Sequence, residues 1–367
     1  MLYRNWGFRP FTAAANTTAI QFRYELARPG STTWSMPVTG TSGLDLYRYD
    51  PNTSAWRWVV QSLSPFKPSM EMVMVAATGS AAAAAAARDR YAAQSVQFEV
   101  AGLGDVDPAG DTQPATYMFY LPMRNAIFQG AVGSLPPGAI TPARTVFAGD
   151  GVTMHGRKPI VHYGATAVQG GTVARVGHAF TNVYGRNLGR VVLNFGFAAG
   201  EDSDGSGEKT IRHAAESESE SESESEFFDL ATARCLAAVD AAAVVIERNT
   251  GFSPAQISAG IPAFVGALRA KGNSSTPIVL SAGPNRATRW FAPAGDDARR
   301  AALNAAFTAL VAVGDAALQL VENANDELVS GAGDYDAADV TVDATHPSDL
   351  GHRAIANFWS NFFKELP

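Results

Sequence analysis

The chain has 367 residues, 46% hydrophobic and 17% charged, a balance that fills large buried cores and excludes a disordered chain. Its 35 acidic against 28 basic residues give a net charge of −7, which excludes nucleic acid as a general partner because phosphate contacts need a surplus of Lys and Arg. One cysteine, Cys235, excludes an intrachain disulfide and a cysteine-ligated metal centre.

The first part of the chain is built from short alternating runs. Residues 19–26 (AIQFRYEL), 43–49 (GLDLYRY), 55–60 (AWRWVV), 70–75, 95–100 and 116–121 are each strand-length, rich in aromatic or β-branched residues, and bounded by Gly, Pro, Ser or Asn. They predict an antiparallel, jelly-roll-like β-sandwich over residues 1–150. The alanine run 81–87 interrupts the pattern as a short helix or loop. Trp56 and Trp58 alternate on one run. A packed sandwich face is the expected use of them, with a sugar-stacking platform as the alternative.

From residue 151 to 367 the pattern changes to strands alternating with helices. Strands are predicted at 159–163 (PIVHY), 191–195 (VVLNF), 242–246 (AAVVI), 277–281 (PIVLS) and 318–321. Helices are predicted at 227–239, 253–270, where Ser253 precedes Pro254 as a start signal, 296–313 and 348–365. This order predicts a three-layer α/β/α domain with a parallel sheet covered on both faces, whose ligands bind beyond the carboxyl ends of the strands. Residues 201–226 interrupt it with an acidic low-complexity insertion, and 216–226 strictly alternates Glu and Ser. Neither face of that stretch is apolar, so it is expected on the solvated surface; an acidic arm for a basic protein partner is the functional alternative.

Two stretches carry side chains suited to acyl-transfer chemistry. In 163–166 (YGAT), Thr166 puts a hydroxyl on the sharp turn that ends a buried strand, where a nucleophile is exposed at the top of a sheet. In 342–352 (VDATHPSDLGH), Asp343 stands three residues before His346, just ahead of a helix capped by Ser348, so a carboxylate can orient an imidazole. His155, His162, His178 and His213 are scattered without a carboxylate or cysteine at ligand spacing, so neither a metal nor another cofactor is expected.

Residues 158–182 (KPIVHYGATAVQGGTVARVGHAFTN), 190–200 (RVVLNFGFAAG), 236–251 (LAAVDAAAVVIERNTG) and 343–352 (DATHPSDLGH) resemble, in order, the four blocks of SGNH/GDSL hydrolases. Residues 43–59 and 116–133 resemble the β-sandwich of the branch that looks like carbohydrate esterases. The resemblance implies a Thr166–His346–Asp343 triad, and an oxyanion held by the backbone of Thr166 and of Ala199. A side-chain donor is implied near Gly251, with Asn249 two residues earlier, and Arg175 and His178 are implied beside the pocket. The departures fall on the chemistry. Threonine stands where the family has serine, and its β-methyl restricts χ1 in a tight turn. Ala199 stands for a glycine, and Gly251 for an asparagine.

The expectation is therefore an SGNH-hydrolase-like protein with a degenerate active site, serving as a binding or scaffold component of a larger assembly, such as a cytoskeletal one. The alternative is an active esterase that cleaves acyl esters, including those of sugars, through Thr166. The segment 1–11 has no continuous apolar stretch, and no run nears the ~20 apolar residues of a bilayer span, so a cytoplasmic protein without a membrane partner is expected.

Overall fold

The computed structural model describes residues 8–13, 19–26, 45–61, 95–101, 115–120, 126–135, 140–142, 154–170, 172–196, 228, 230–247, 252–270, 275–283, 294–321, 340–341 and 346–366.

The N-terminal strands are β1 (Phe8–Ala13), β2 (Ala19–Leu26), β3 (Asp45–Asp50), β4 (Ala55–Gln61), β5 (Ser95–Ala101), β6 (Ala115–Tyr120), β7 (Ala126–Leu135) and β8 (Ile140–Pro142). They form a five-stranded sheet in the order β4-β3-β6-β1-β8 and a three-stranded sheet in the order β5-β2-β7. Every pairing is antiparallel, as alternation and short connections favour. The expected run 70–75 lies outside the described residues.

Three strands were not expected from the sequence. In β1, Pro10 breaks the pattern, yet it is paired with Met118 of β6 and stands beyond the short β8 pairing, which begins at Phe11. A proline is tolerated where one side of the ladder has ended. In β7 the register against β2 shifts between Arg23 and Glu25, an irregularity that destroys the simple period of two.

The C-terminal strands are β9 (Ile160–Gly164), β10 (Val192–Gly196), β11 (Ala243–Glu247), β12 (Ile278–Ser281) and β13 (Leu318–Val321). All pair in parallel, in the order β10-β9-β11-β12-β13. β9 to β12 are buried along their whole length, which is why they read as continuous apolar runs. The helices are α1 (Thr166–Gln169), α2 (Phe180–Leu188), α3 (Leu230–Leu236), α4 (Pro254–Arg269), α5 (Ala294–Ala312) and α6 (Asp349–Phe362). α4 begins with a capping box in which Ser253 and Gln256 satisfy each other's backbone N–H groups.

Adjacent β9 side chains point to opposite faces and show the layering. Tyr163 stacks on Phe264 of α4 at 5.1 Å between ring centroids, whereas His162 meets Trp359 of α6 edge-on at 5.2 Å. Helices thus cover both faces of the sheet.

The chain divides into two compact units, Met1–Gly156 with Thr172–Arg190, and Arg157–Gly171 with Val191–Pro367. The segment Thr172–Arg190, although it follows β9 in sequence, packs within the first unit. A buried carboxylate holds it there. Asp45 of β3 is fully inaccessible and accepts from the Gly177 backbone N–H at 2.8 Å and from the Trp58 indole N–H at 3.2 Å. Arg175 is ion-paired with Asp45 at 3.6 Å and lies over the Trp58 ring at 4.6 Å. Arg186 of α2 donates to the Tyr120 hydroxyl and the Gly177 carbonyl, and lies over the Tyr47 ring at 4.3 Å. Burial pushes the Asp45 carboxyl above its ordinary value, against the pull of the Gly177 N–H, Arg175 and Trp58. Burial likewise pushes the Tyr47 phenol up to about 12. Trp58 itself is 49% exposed, so it is not the packed core residue its alternation suggested. Its indole nitrogen is what the fold uses.

Candidate functional site

The site is built where β9 turns into α1. The backbone leaves the sheet at Gly164, passes Ala165 in extended conformation, and enters α1 at Thr166. Two glycines let this turn sit flat against its neighbours. A Cβ on Gly164 would lie 2.2 Å from Cγ2 of Val168, and one on Gly196 of β10 would lie 2.1 Å from the Gln169 backbone nitrogen. α1 is also tied to β10 through Asn194, whose Nδ2 donates to the Val168 carbonyl at 2.6 Å while its Oδ1 accepts the Gly196 N–H at 2.8 Å. Thr166 is half-buried on this braced turn. Among the described residues its side chain makes no hydrogen bond.

His346 stands at the neck of the loop before α6. Thr341 and Pro347 form an antiparallel bridge, and the Ser348 N–H donates to the Val340 carbonyl at 2.8 Å. The Ser348 hydroxyl then caps α6 by accepting from the Gly351 N–H at 3.3 Å. Thr341 and Pro347, which flank residues 342–346, are therefore held side by side. Thr166 and His346 belong to the same compact unit. Asp343, Ala199, Asn249 and Gly251 lie outside the described residues. Arg175 belongs to the other unit, where its guanidinium is engaged by Asp45, the Trp58 ring and the His178 ring nitrogen.

Several residues that shape this region were not singled out from the sequence. Asn194 could have been, since an amide in the buried run VVLNFG must find partners. Glu247 and Ser281 also end buried strands and are themselves buried, a placement that polar residues reach only with dedicated hydrogen bonds. Among the described residues no group of three or more His, Cys, Asp or Glu could hold a metal ion, and no helix is long and apolar enough to cross a membrane.

No curated protein matches the chain. Several solved structures are similar to nearly the whole chain. A GDSL-like lipase from Bacteroides ovatus ATCC 8483 superposes with a TM-score of 0.66 at 18% identity, covering 100% of this chain and 86% of its own. A salicylyl-acyltransferase from a tetracycline biosynthetic pathway gives a TM-score of 0.62 at 15% identity, covering 98% of this chain and 82% of its own. A carbohydrate esterase family 2 enzyme with a carbohydrate binding domain, from Corynascus thermopiles (Myceliophthora fergusii), gives 0.53 at 13% identity, covering 96% and 91%. At these identities the likeness is one of fold. The profile of the GDSL-like lipase/acylhydrolase family matches residues 157–205 and 223–364, more than half of the chain and all of the parallel sheet. That match places the chain in the GDSL-like lipase/acylhydrolase family.

Proposed function

We propose that this protein keeps the acyl-hydrolase fold with a degenerate catalytic centre and acts as a binding or scaffold component through the carboxyl edge of its parallel sheet. What supports this reading is the sequence of the catalytic blocks, with threonine at 166 where the family has serine, Ala199 in place of a glycine and Gly251 in place of an asparagine. A hydroxyl of ordinary acidity attacks a carbonyl only when a base takes its proton. The substitutions at the oxyanion positions act in the same direction, because loss of one oxyanion donor costs about 10²–10³ in rate. Retained acyl-ester or carbohydrate recognition at this edge would need neither.

A second reading has its own support. Thr166 is half-buried on a braced turn, its hydroxyl has no competing hydrogen bond among the described residues, and catalytic contacts in unliganded enzymes commonly tighten only with substrate. In that case Thr166 would attack the ester carbonyl, His346 would accept its proton, and Asp343 would orient the ring. Short-chain acyl ester hydrolysis by the full-length chain separates the two. Silence of the wild type and of Thr166→Ser supports the binding protein. Activity lost in both Thr166→Ala and His346→Ala would establish the esterase instead.

For the partner, the alternating Ser/Glu stretch 216–226 suits a basic protein surface. Its deletion should weaken that association most at low salt, and association indifferent to both deletion and salt would remove the stretch from the interface.

A further inference from the structure

α1 is four residues long and carries Thr166 as its first. A single helical turn does not hold itself together in water, because nucleation fixes several residues for one hydrogen bond. What orients α1 therefore lies outside it. At its start the chain is anchored covalently to β9 through Gly164 and Ala165. Near its end the anchor is a side chain: Nδ2 of Asn194 donates to the Val168 carbonyl at 2.6 Å.

The other half of the same amide faces its own strand, where Oδ1 accepts the Gly196 N–H at 2.8 Å. These partners fix which way the amide points, since a carbonyl only accepts and a backbone N–H only donates. Asn194 is 6% exposed and lies mid-way along β10, which pairs with β9 from Val192 opposite Ile160 to Gly196 opposite Gly164. The contacts thus close a ring. It runs from β9 through Thr166 and α1 to the Asn194 amide, and returns through β10 to β9. A Cβ on Gly196 would lie 2.1 Å from the Gln169 nitrogen, so the two backbones already touch where the ring closes.

We propose that Asn194 is a positioning residue for position 166: its bond to the Val168 carbonyl fixes the tilt of α1 on β10, and with it the direction in which the Thr166 side chain leaves the turn. Without that bond α1 is held by its first residues alone and pivots at Ala165. That position 166 meets a ligand rests on the proposed function; the positioning does not.

The test uses the full chain without ligand. Amide protection factors are measured by hydrogen exchange, and the Thr166 ¹³C-methyl signal is assigned by its absence in Thr166→Ser. Asn194→Asp keeps an acceptor for Gly196 and sets a carboxylate oxygen against the Val168 carbonyl, whereas Asn194→Leu removes both contacts at similar volume. In Asn194→Asp at about pH 8, protection of the Gln169 and Gly170 amides should fall about tenfold and the Thr166 methyl signal should move, while Gly196 stays protected. Acid protonates the introduced carboxyl, which then donates as the amide did. The wild-type pattern should therefore return by about pH 5, with the wild type as control at each pH. Asn194→Leu should lose protection at all three amides at either pH.

A side chain that only stabilised the fold would lower the unfolding midpoint and leave the Thr166 signal of the folded protein in place. A Thr166 signal unmoved in both variants, or one displaced in Asn194→Asp that acid does not restore, would overturn the proposal. Should neither variant fold, the wild-type amide decides. A slowly exchanging Asn194 Nδ2 hydrogen coupled to the Val168 carbonyl carbon upholds the proposal, and two rapidly exchanging hydrogens overturn it. No ester or partner enters these readouts, so failure of the binding function and failure of the positioning show separately.

Discussion

The Asp45 cluster and the Thr166 turn are both places where polar groups meet the core, and they are built in opposite ways. Asp45 is fully enclosed, and its carboxylate is met by a backbone N–H, an indole N–H and a guanidinium. Thr166 is half-buried, and the bracing around it is spent on backbone, through Gly164, Asn194 and Gly196, while its hydroxyl makes no hydrogen bond among the described residues. A polar group saturated with partners serves the fold. One that the fold holds in place without engaging is free for a ligand.

The largest effect should come from breaking the enclosed region. Asp45→Ala leaves Arg175 without its counter-charge and two N–H donors unmet, and should destabilise the first unit by about 3–5 kcal/mol in chemical denaturation. A loss under about 1 kcal/mol would show that the carboxylate is dispensable. Next is the alkaline limb. The Tyr47 phenol titrates near 10 when unfolded and is pushed up to about 12 by burial, so its contribution to stability is intact below pH 10 and falls as pH rises toward 12. Stability of the wild type relative to Tyr47→Phe should therefore decline across that window by about 2–3 kcal/mol, and a flat difference would contradict the burial of an un-ionised phenol.

Gly196→Ala probes the braced turn. The added methyl meets the Gln169 backbone nitrogen, so α1 must move, at a cost of about 1–3 kcal/mol by thermal unfolding. The smallest effect belongs to the unengaged hydroxyl: Thr166→Ser removes one half-buried methyl and should change stability by under about 1 kcal/mol. A larger loss would mean that Thr166 is itself part of the packing.

The sequence made the parallel half easier to read than the antiparallel half, for a physical reason. Buried parallel strands are largely apolar runs, and 277–281 and 242–246 differ from the observed strands by a residue at the ends, while the partly exposed 318–321 is observed as expected. In the antiparallel half, β2 matches residues 19–26, but β1 with Pro10 and the irregular β7 hid behind broken alternation. α2 escaped as well, because its helix is held by a long-range contact, Arg186 to Tyr120 and Tyr47, that no local pattern announces. Thr166 and His346 stand out in the sequence by their places, at the end of a buried strand and just before the last helix. The polar groups buried in the sheet do not, because His162, Glu247 and Ser281 acquire meaning only when three strands bring them side by side.

The proposed function requires that the side chain at position 166 has no proton acceptor to activate it. Intact-mass analysis of the full chain after exposure to a fluorophosphonate, which transfers its phosphonyl group only to an activated hydroxyl and releases fluoride, tests this directly. No adduct on the wild type or on Thr166→Ser is the predicted result. An adduct mapped to Thr166 and lost in His346→Ala would contradict it.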